Sequence, residues 1–293
     1  MQKVLVVGAS GLVGSILMQI GINKYEMFGT FNKNVIRANN YVKLNVADRR
    51  KVFEIIKDVK PELVVDTHSV TNVDYCELHP EEAWSINVVG TKNVAEACKI
   101  SGAKYTFISS DYVFDGKKSR YAEKDKPHPI NYYGKTKLAA EMILKALDIN
   151  ALTVRTAVIY GNAKGNKTSF VSWIVERLKN NQVTKVVIDQ YNNPTLADSL
   201  AEIILSLFEI DADGLFHVTG NECISRHDFA IKVAEAFGLD TGLIMPITTS
   251  ELNQIARRPE KLNMETHKVE RVTHIKMKSI NEGLNILKER KIK

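Results

Sequence analysis

Residues 4 to 14 read Val4-Leu5-Val6-Val7-Gly8-Ala9-Ser10-Gly11-Leu12-Val13-Gly14, and this stretch decides the fold. An unbroken aliphatic run rich in valine is the pattern of a strand buried on both faces, as in a parallel sheet. Gly8 ends the run, and a helical pattern from Leu12 to Ile22 follows at once. In a strand-loop-helix setting each glycine has a physical task. Gly8 permits the tight turn, Gly11 lets the backbone approach a pyrophosphate at the helix N-terminus, and Gly14 lets the helix pack close to the sheet. The stretch predicts a dinucleotide-binding loop, with Ser10, Leu12 and Val13 completing the cradle.

The same rhythm continues to about residue 160. Strands are expected at 27–31, 41–44, 63–66, 105–109 and 151–155. Helices are expected from the Asp48 cap to Asp58, as one long segment from Pro80 to Ile100, and from Asn131 to Leu147. Alternation of this kind predicts an α/β fold, a doubly wound parallel sheet of the Rossmann type. Beyond residue 160 the pattern loosens into a polar loop at 161–167, helices at 169–179, 197–208 and 226–237, and short strands at 185–188 and 215–218. The expected division is a dinucleotide-binding domain at 1–160 and a smaller substrate-binding region at 161–293, of which about 185–210 returns to the main sheet.

The bulk properties restrict function. At 293 residues, 44% hydrophobic and 25% charged, the chain has the composition of an ordinary globular protein. It contains no apolar run of the ~18 residues that a membrane span needs, and its start lacks the basic n-region of a signal peptide. The expectation is a soluble cytoplasmic protein. Three separated cysteines suggest reduced, buried thiols rather than a disulfide framework, and the seven histidines contain no H-E-x-x-H pair, so no metal is expected. Of the net charge of +6, a large part lies in the tail from His274, where six basic residues face two acidic ones. On an amphipathic segment that is the solvated end of a helix, so neither nucleic acid nor membrane is expected as a partner.

The end of the second strand reads the adenosine ribose in such folds, with an acid for a free hydroxyl or a base for a 2′-phosphate. Here Gly29-Thr30-Phe31-Asn32-Lys33 has no carboxylate, and Lys33 and Arg37 could pair with a phosphate, so NADP(H) is favoured with NAD(H) as the alternative, and Asn32 and Lys33 are expected at the cofactor. Tyr133 and Lys137 lie four apart on a predicted helix and share a face. A nearby ammonium favours the ionised phenol, which suits Tyr133 to general acid-base work. Ser109-Ser110-Asp111-Tyr112 ends a predicted strand, at the sheet edge where ligands bind in open α/β sheets. Ser110 could hydrogen-bond a substrate carbonyl there while Tyr133 supplies its proton and a nicotinamide supplies hydride.

With these residues in view the chain resembles an extended short-chain dehydrogenase/reductase. It is similar in particular to the dTDP-4-dehydrorhamnose reductase family, through Ser109 to Gly116, Tyr133 to Leu138, Asp189-Gln190-Tyr191 to Pro194-Thr195, Gly214 to Gly220 and Arg257-Arg258-Pro259. The resemblance implies NAD(P)H-dependent reduction of the 4-keto group of a nucleotide-linked 6-deoxy-hexulose. It implies a catalytic triad of Ser110, Tyr133 and Lys137, with Lys137 lowering the Tyr133 pKa and holding the nicotinamide ribose. Asp111, Tyr112, Val158 and Arg258 would bind the sugar, and Arg155 and Tyr160 would line the site. Asn45, His68 and Ser69 join the cofactor set. The chain departs from the family pattern at Val158, where a tryptophan is usual, at Lys261-Leu262, at Glu265 and at Asn45. A homodimer is compatible with the resemblance. Two other roles stay open: the regulatory β subunit of methionine adenosyltransferase resembles the chain in the same segments, and nucleotide-sugar epimerases and dehydratases use the same cofactor.

Overall fold

The computed structural model describes residues 1–162 and 169–290; the loop expected at 161–167 lies outside the described residues from 163 onward. The first half alternates as predicted. It runs β1 (Lys3–Val7), α1 (Leu12–Gly21), β2 (Glu26–Phe31), β3 (Tyr41–Lys43), α2 (Arg49–Val59) and β4 (Leu63–Asp66). There follow α3 (Thr91–Ser101), β5 (Lys104–Ser110), α4 (Tyr132–Ala146) and β6 (Ala151–Thr156). The second half holds α5 (Phe170–Lys179), α6 (Ala197–Glu209), β7 (Gly214–His217), α7 (Arg226–Phe237) and α8 (Ile280–Glu289). The seven strands make one sheet in the order β3-β2-β1-β4-β5-β6-β7, parallel at every pairing. Strand order reverses between β1 and β4, and the crevice that opens at their carboxyl ends is where such sheets bind ligands.

Local chemistry sets these boundaries. The Asp48 side chain accepts the Lys51 N–H and starts α2, while Asn131 accepts the Gly134 N–H and starts α4. Gly102, at φ +75°, ends α3 in the left-handed conformation. Alternation along the strands then fills both faces of the sheet. Val4, Val6, Leu63 and Val65 pack with Leu17 of α1 and Leu200, Ile204 and Leu207 of α6. Leu5, Val7, Val64, Tyr105 and Phe107 pack with Ile55 of α2, Val94 of α3 and Leu144 of α4. A third cluster, around Tyr160, Ile174, Phe229 and Leu284, unites α5, α7 and α8.

Several expectations are corrected. The long helix at 80–100 consists of α-helix Pro80–Trp84, a π-helical segment Ser85–Gly90 and then α3. Periodicity alone does not register the extra residue per turn. Of the segment expected to return to the sheet, Thr184–Val187 pairs with Ile244–Ile247 outside it, whereas α6 covers a sheet face and β7 supplies the seventh strand. Cys76 and Cys98 are buried but Cys223 is only partly so. Among the described residues no helix is long and apolar enough to cross a membrane.

Candidate active site

The glycine loop is built as tightly as its spacing implies. Gly8 sits at φ +84°, and a Cβ there would fall 2.9 Å from the His68 backbone nitrogen. A Cβ on Gly14 would fall 2.5 Å from the Gly8 carbonyl, so only glycine lets α1 start this close to β1. No side chain caps α1 at Gly11. Its first-turn N–H groups therefore remain available to an anion. Gly8, Ser10, Gly11, Leu12, Val13 and Gly14 all line one cavity of about 700 Å³ at the carboxyl ends of the strands. A cradle that a single methyl group would fill, with open N–H donors, suits the diphosphate of a dinucleotide.

Asn32 and Lys33 line the same cavity beyond β2, and the Lys33 ammonium lies 3.8 Å from Glu82, which also lines it. Asn45 does not join them. Its side chain is exposed and accepts the Ala47 N–H at 3.1 Å, shaping the turn into α2, while its neighbours Leu44 and Val46 reach the cavity. His68 and Ser69 do line it. The His68 ring is fixed between the Asp66 carboxylate and the Ile86 carbonyl (2.9 Å). Asn87, within the π-helical segment, was invisible to the sequence reading. It accepts from the Ser69 hydroxyl (3.1 Å) and the Val70 N–H (2.8 Å), and donates to Thr136 Oγ1 (3.1 Å). That amide ties the loop after β4 to the helix bearing Tyr133 and Lys137, which gives the π-segment a positioning task.

Ser110, Tyr133 and Lys137 converge on the cavity from β5 and α4. The approach depends on Gly134, where a Cβ would fall 2.1 Å from the Tyr112 carbonyl oxygen. The rings of Tyr112 and Tyr133 meet edge-on at 5.8 Å. The electrostatics differ from expectation. Burial pushes the Tyr133 phenol above its ordinary pKa, opposed by a hydrogen bond to Ser110, and Lys137 is not among the groups acting most strongly on it. Lys137, stacked 4.3 Å from the Phe107 ring, is itself lowered to about 8 by burial, against the pull of Asp66 and Glu141. Asp111 accepts from Ser110 Oγ (2.9 Å) and Asn192 Nδ2 (2.8 Å). Burial raises its carboxyl to about 6, with those hydrogen bonds and Arg226 opposing the rise.

Of the residues expected to bind the sugar, Asp111, Tyr112 and Val158 line the cavity. Val158 has φ +39°, a conformation that costs a β-branched residue energy and is found where the surroundings enforce it. Arg258 is set behind the cavity wall, near enough to act on the Tyr112 phenol. It pairs with Asp74 at 3.0 Å and donates to the Ala256 carbonyl at 2.6 Å, so it ties its own loop to the short helix Val73–Leu78, and it is not among the residues that line the cavity. Arg155 and Tyr160 are also set back. Arg155 forms a two-point ion pair with Glu141 (2.9 and 2.6 Å), and Tyr160 belongs to the core of the second half. The sequence reading missed Arg226, which does line the cavity. Among the described residues, no group of three or more His, Cys, Asp or Glu side chains could hold a metal ion.

The chain is similar to known proteins over nearly its whole length. The family description "RmlD substrate binding domain" matches residues 1–291. A dTDP-4-dehydrorhamnose reductase of Aggregatibacter actinomycetemcomitans is 31% identical over 284 residues, covering 92% of each chain. The bovine methionine adenosyltransferase 2 subunit beta is 30% identical over 276 residues, covering 92% of this chain and 82% of its own. Among solved structures, the dTDP-4-dehydrorhamnose reductase of Bacillus anthracis in complex with NADP superimposes with a TM-score of 0.91 at 28% identity, covering 99% of this chain and 100% of that one. With a doubly wound sheet, a glycine cradle and a serine-tyrosine-lysine cluster on one cavity, and a family match over nearly its whole length, the chain belongs to the RmlD substrate-binding family.

Proposed function

We propose that the protein is an NAD(P)H-dependent reductase of the 4-keto group of a nucleotide-linked 6-deoxy-hexulose, of the dTDP-4-dehydrorhamnose reductase type, with NADPH as the preferred cofactor. The observation that carries this reading is the single cavity lined both by the glycine loop and by Ser110, Tyr133 and Lys137. The glycine loop and the open N–H groups of α1 hold the cofactor diphosphate, while Asn32 and Lys33 meet the adenosine ribose and favour a 2′-phosphate. Ser110 Oγ, now donating to Asp111, turns its donor to the substrate carbonyl. Tyr133 delivers a proton to the oxygen that becomes the hydroxyl, and Lys137 stabilises the phenolate left behind. When bound, the dihydronicotinamide supplies the hydride.

The test is stoichiometric oxidation of NADPH by dTDP-4-keto-6-deoxy-L-hexulose. Wild type is expected to turn over, and Tyr133→Phe to lose at least about 10³-fold in kcat while binding NADPH as before. Turnover retained in Tyr133→Phe removes the assigned proton donor. No oxidation by wild type, together with capture of a methionine adenosyltransferase, replaces the enzymatic reading with a regulatory one.

A further inference from the structure

Three Lys or Arg side chains line the cavity among the described residues: Lys33, Lys137 and Arg226. Two have evident tasks. Lys33 lies beyond β2 beside Glu82, and Lys137 is buried over Phe107 and lines the cavity with Tyr133. Arg226 comes from the second half of the chain, and nothing in the reduction chemistry uses it.

Its location is not dictated by the helix it begins. Arg226 is the first residue of α7, whose cap, Ser225, accepts the Asp228 N–H at 2.9 Å. A cation there faces the positive end of the helix dipole, where an acid would stabilise. The surroundings nevertheless hold it firmly. Its N–H donates to the Gln190 carbonyl at 2.9 Å, and Ser225 pairs antiparallel with Tyr191. The guanidinium stacks 5.5 Å from the Phe170 ring, and its charge holds down the Tyr112 phenol against the rise that burial causes. Arg258, the arginine expected to serve the substrate, is committed to Asp74.

The sheet separates this cation from the glycine loop. Tyr112 follows β5, two strands from β1, which at ~4.8 Å per strand is about 10 Å across the sheet. The glycine loop follows β1 and the Tyr112 neighbour of Arg226 follows β5, so the two lie on different strands of the one cavity, which leaves the guanidinium free to meet an anion other than one held by the α1 N-terminus. A guanidinium fork matches phosphate oxygens in two-point geometry, and its stacking on Phe170 fixes the plane before the ligand arrives.

We propose that Arg226 grips the diphosphate of the nucleotide-linked substrate and so selects substrates that carry one, an inference that rests on the reductase reading above. The experiment measures binding of thymidine diphosphate and of thymidine to the NADPH-saturated protein by calorimetry, together with steady-state kinetics on the ketosugar nucleotide. Arg226→Ala is expected to weaken thymidine diphosphate about ten- to hundredfold, leave thymidine and NADPH binding as in wild type, and raise KM by a similar factor. Arg226→Lys recovers part of the loss. Arg226→Ala that binds thymidine diphosphate as tightly as wild type overturns the inference, as does a variant whose only change is a shifted pH profile, since Arg226 would then act through Asp111. Arginine-dependent binding of the diphosphate by a wild type that does not oxidise NADPH upholds the assignment and removes the reductase reading. A wild type that does not bind the diphosphate overturns the assignment.

Discussion

A methyl group at position 134 tests whether the close approach of α4 to the turn after β5 seats the catalytic phenol. A Cβ built on Gly134 falls 2.1 Å from the Tyr112 carbonyl oxygen and 3.0 Å from Pro129 Cβ, where ordinary contact begins at 3.4 Å. Relief needs a displacement of about 1.3 Å, the difference between ordinary contact and the built position. The helix cannot take it up freely, because Ala140 and Leu144 anchor α4 in the core and Asn131 ties its start to the Arg257 carbonyl at 2.9 Å. The strain falls on the Asp111–Val113 turn and on the separation of Ser110 from Tyr133. Overpacking of this kind costs ~1–3 kcal/mol, and a misplacement of about 1 Å at reacting groups costs ~10²-fold in rate. Gly134→Ala is therefore expected to melt a few degrees lower and to lose about a hundredfold in kcat, with NADPH binding retained on the distant glycine loop. Gly102→Ala is the comparator. It adds a side chain at φ +75° with nothing within 4 Å, so it loses stability without touching the site. Steady-state NADPH oxidation and thermal melts of both variants suffice. A Gly134→Ala protein with wild-type kcat refutes the claim that this contact sets the catalytic geometry.

Lys137 is lowered to about 8 by burial, so turnover should fall as pH rises through about 8 and the ammonium is lost. Lys137→Arg, always charged, should flatten that alkaline limb, and an unchanged limb in its pH-rate profile assigns it to another group. Asp111 is raised to about 6 by burial; between about pH 4 and 6 the folded chain keeps a proton the unfolded chain has released, so its contribution to stability is lost as pH rises through that window. Asp111→Asn should remove this part of the pH dependence of the melting temperature, and an identical dependence in the variant contradicts the assignment. Lys33→Glu should lower kcat/KM for NADPH about tenfold and leave NADH nearly unchanged. Because the Lys33 side chain is 85% exposed, the effect should shrink with added salt, and equal losses for both cofactors show that the residue does not read the 2′-phosphate.

What was legible in the sequence is what depends on local pattern. The valine run, Gly8, Gly11 and Gly14 specify a strand, a turn and a helix that touch within a few residues, so the cofactor end of the cavity could be read directly. The four-residue spacing of Tyr133 and Lys137 likewise survives folding because a helix preserves it. What could not be read depends on contacts distant in sequence. Arg226 sits more than 90 residues from Tyr133 behind an ordinary serine cap, and its one local signal is a base at a helix start where an acid is favoured. Asn87 looked like any polar residue of a long helix, because the widened turn that aims its amide at Val70 and Thr136 leaves no mark in the periodicity. Arg258 is the opposite case. Its motif was recognised, but its partner, Asp74, could be found only in the fold.

The largest disagreement between pattern and structure concerns the phenol, and it bears on the direction of the reaction. Four-residue spacing implies that Lys137 acidifies Tyr133, yet desolvation dominates both groups, raising the phenol and lowering the ammonium. Burial disfavours whichever form is charged. At neutral pH the cavity therefore holds a protonated tyrosine beside a lysine that, with a pKa of about 8, is still ~90% ammonium. That is the resting state a reductase needs. The proton must remain on Tyr133 until negative charge develops on the substrate oxygen, and an alkoxide, far more basic than a phenolate, takes it readily. The ammonium becomes useful only afterwards, when the phenolate appears next to it in a medium of low dielectric. A dehydrogenase acting on an alcohol needs the reverse, a phenol already partly ionised. The same pair in this cavity is therefore biased toward ketone reduction, and the measurable consequence is that alcohol oxidation should require a pH well above that at which reduction is fastest.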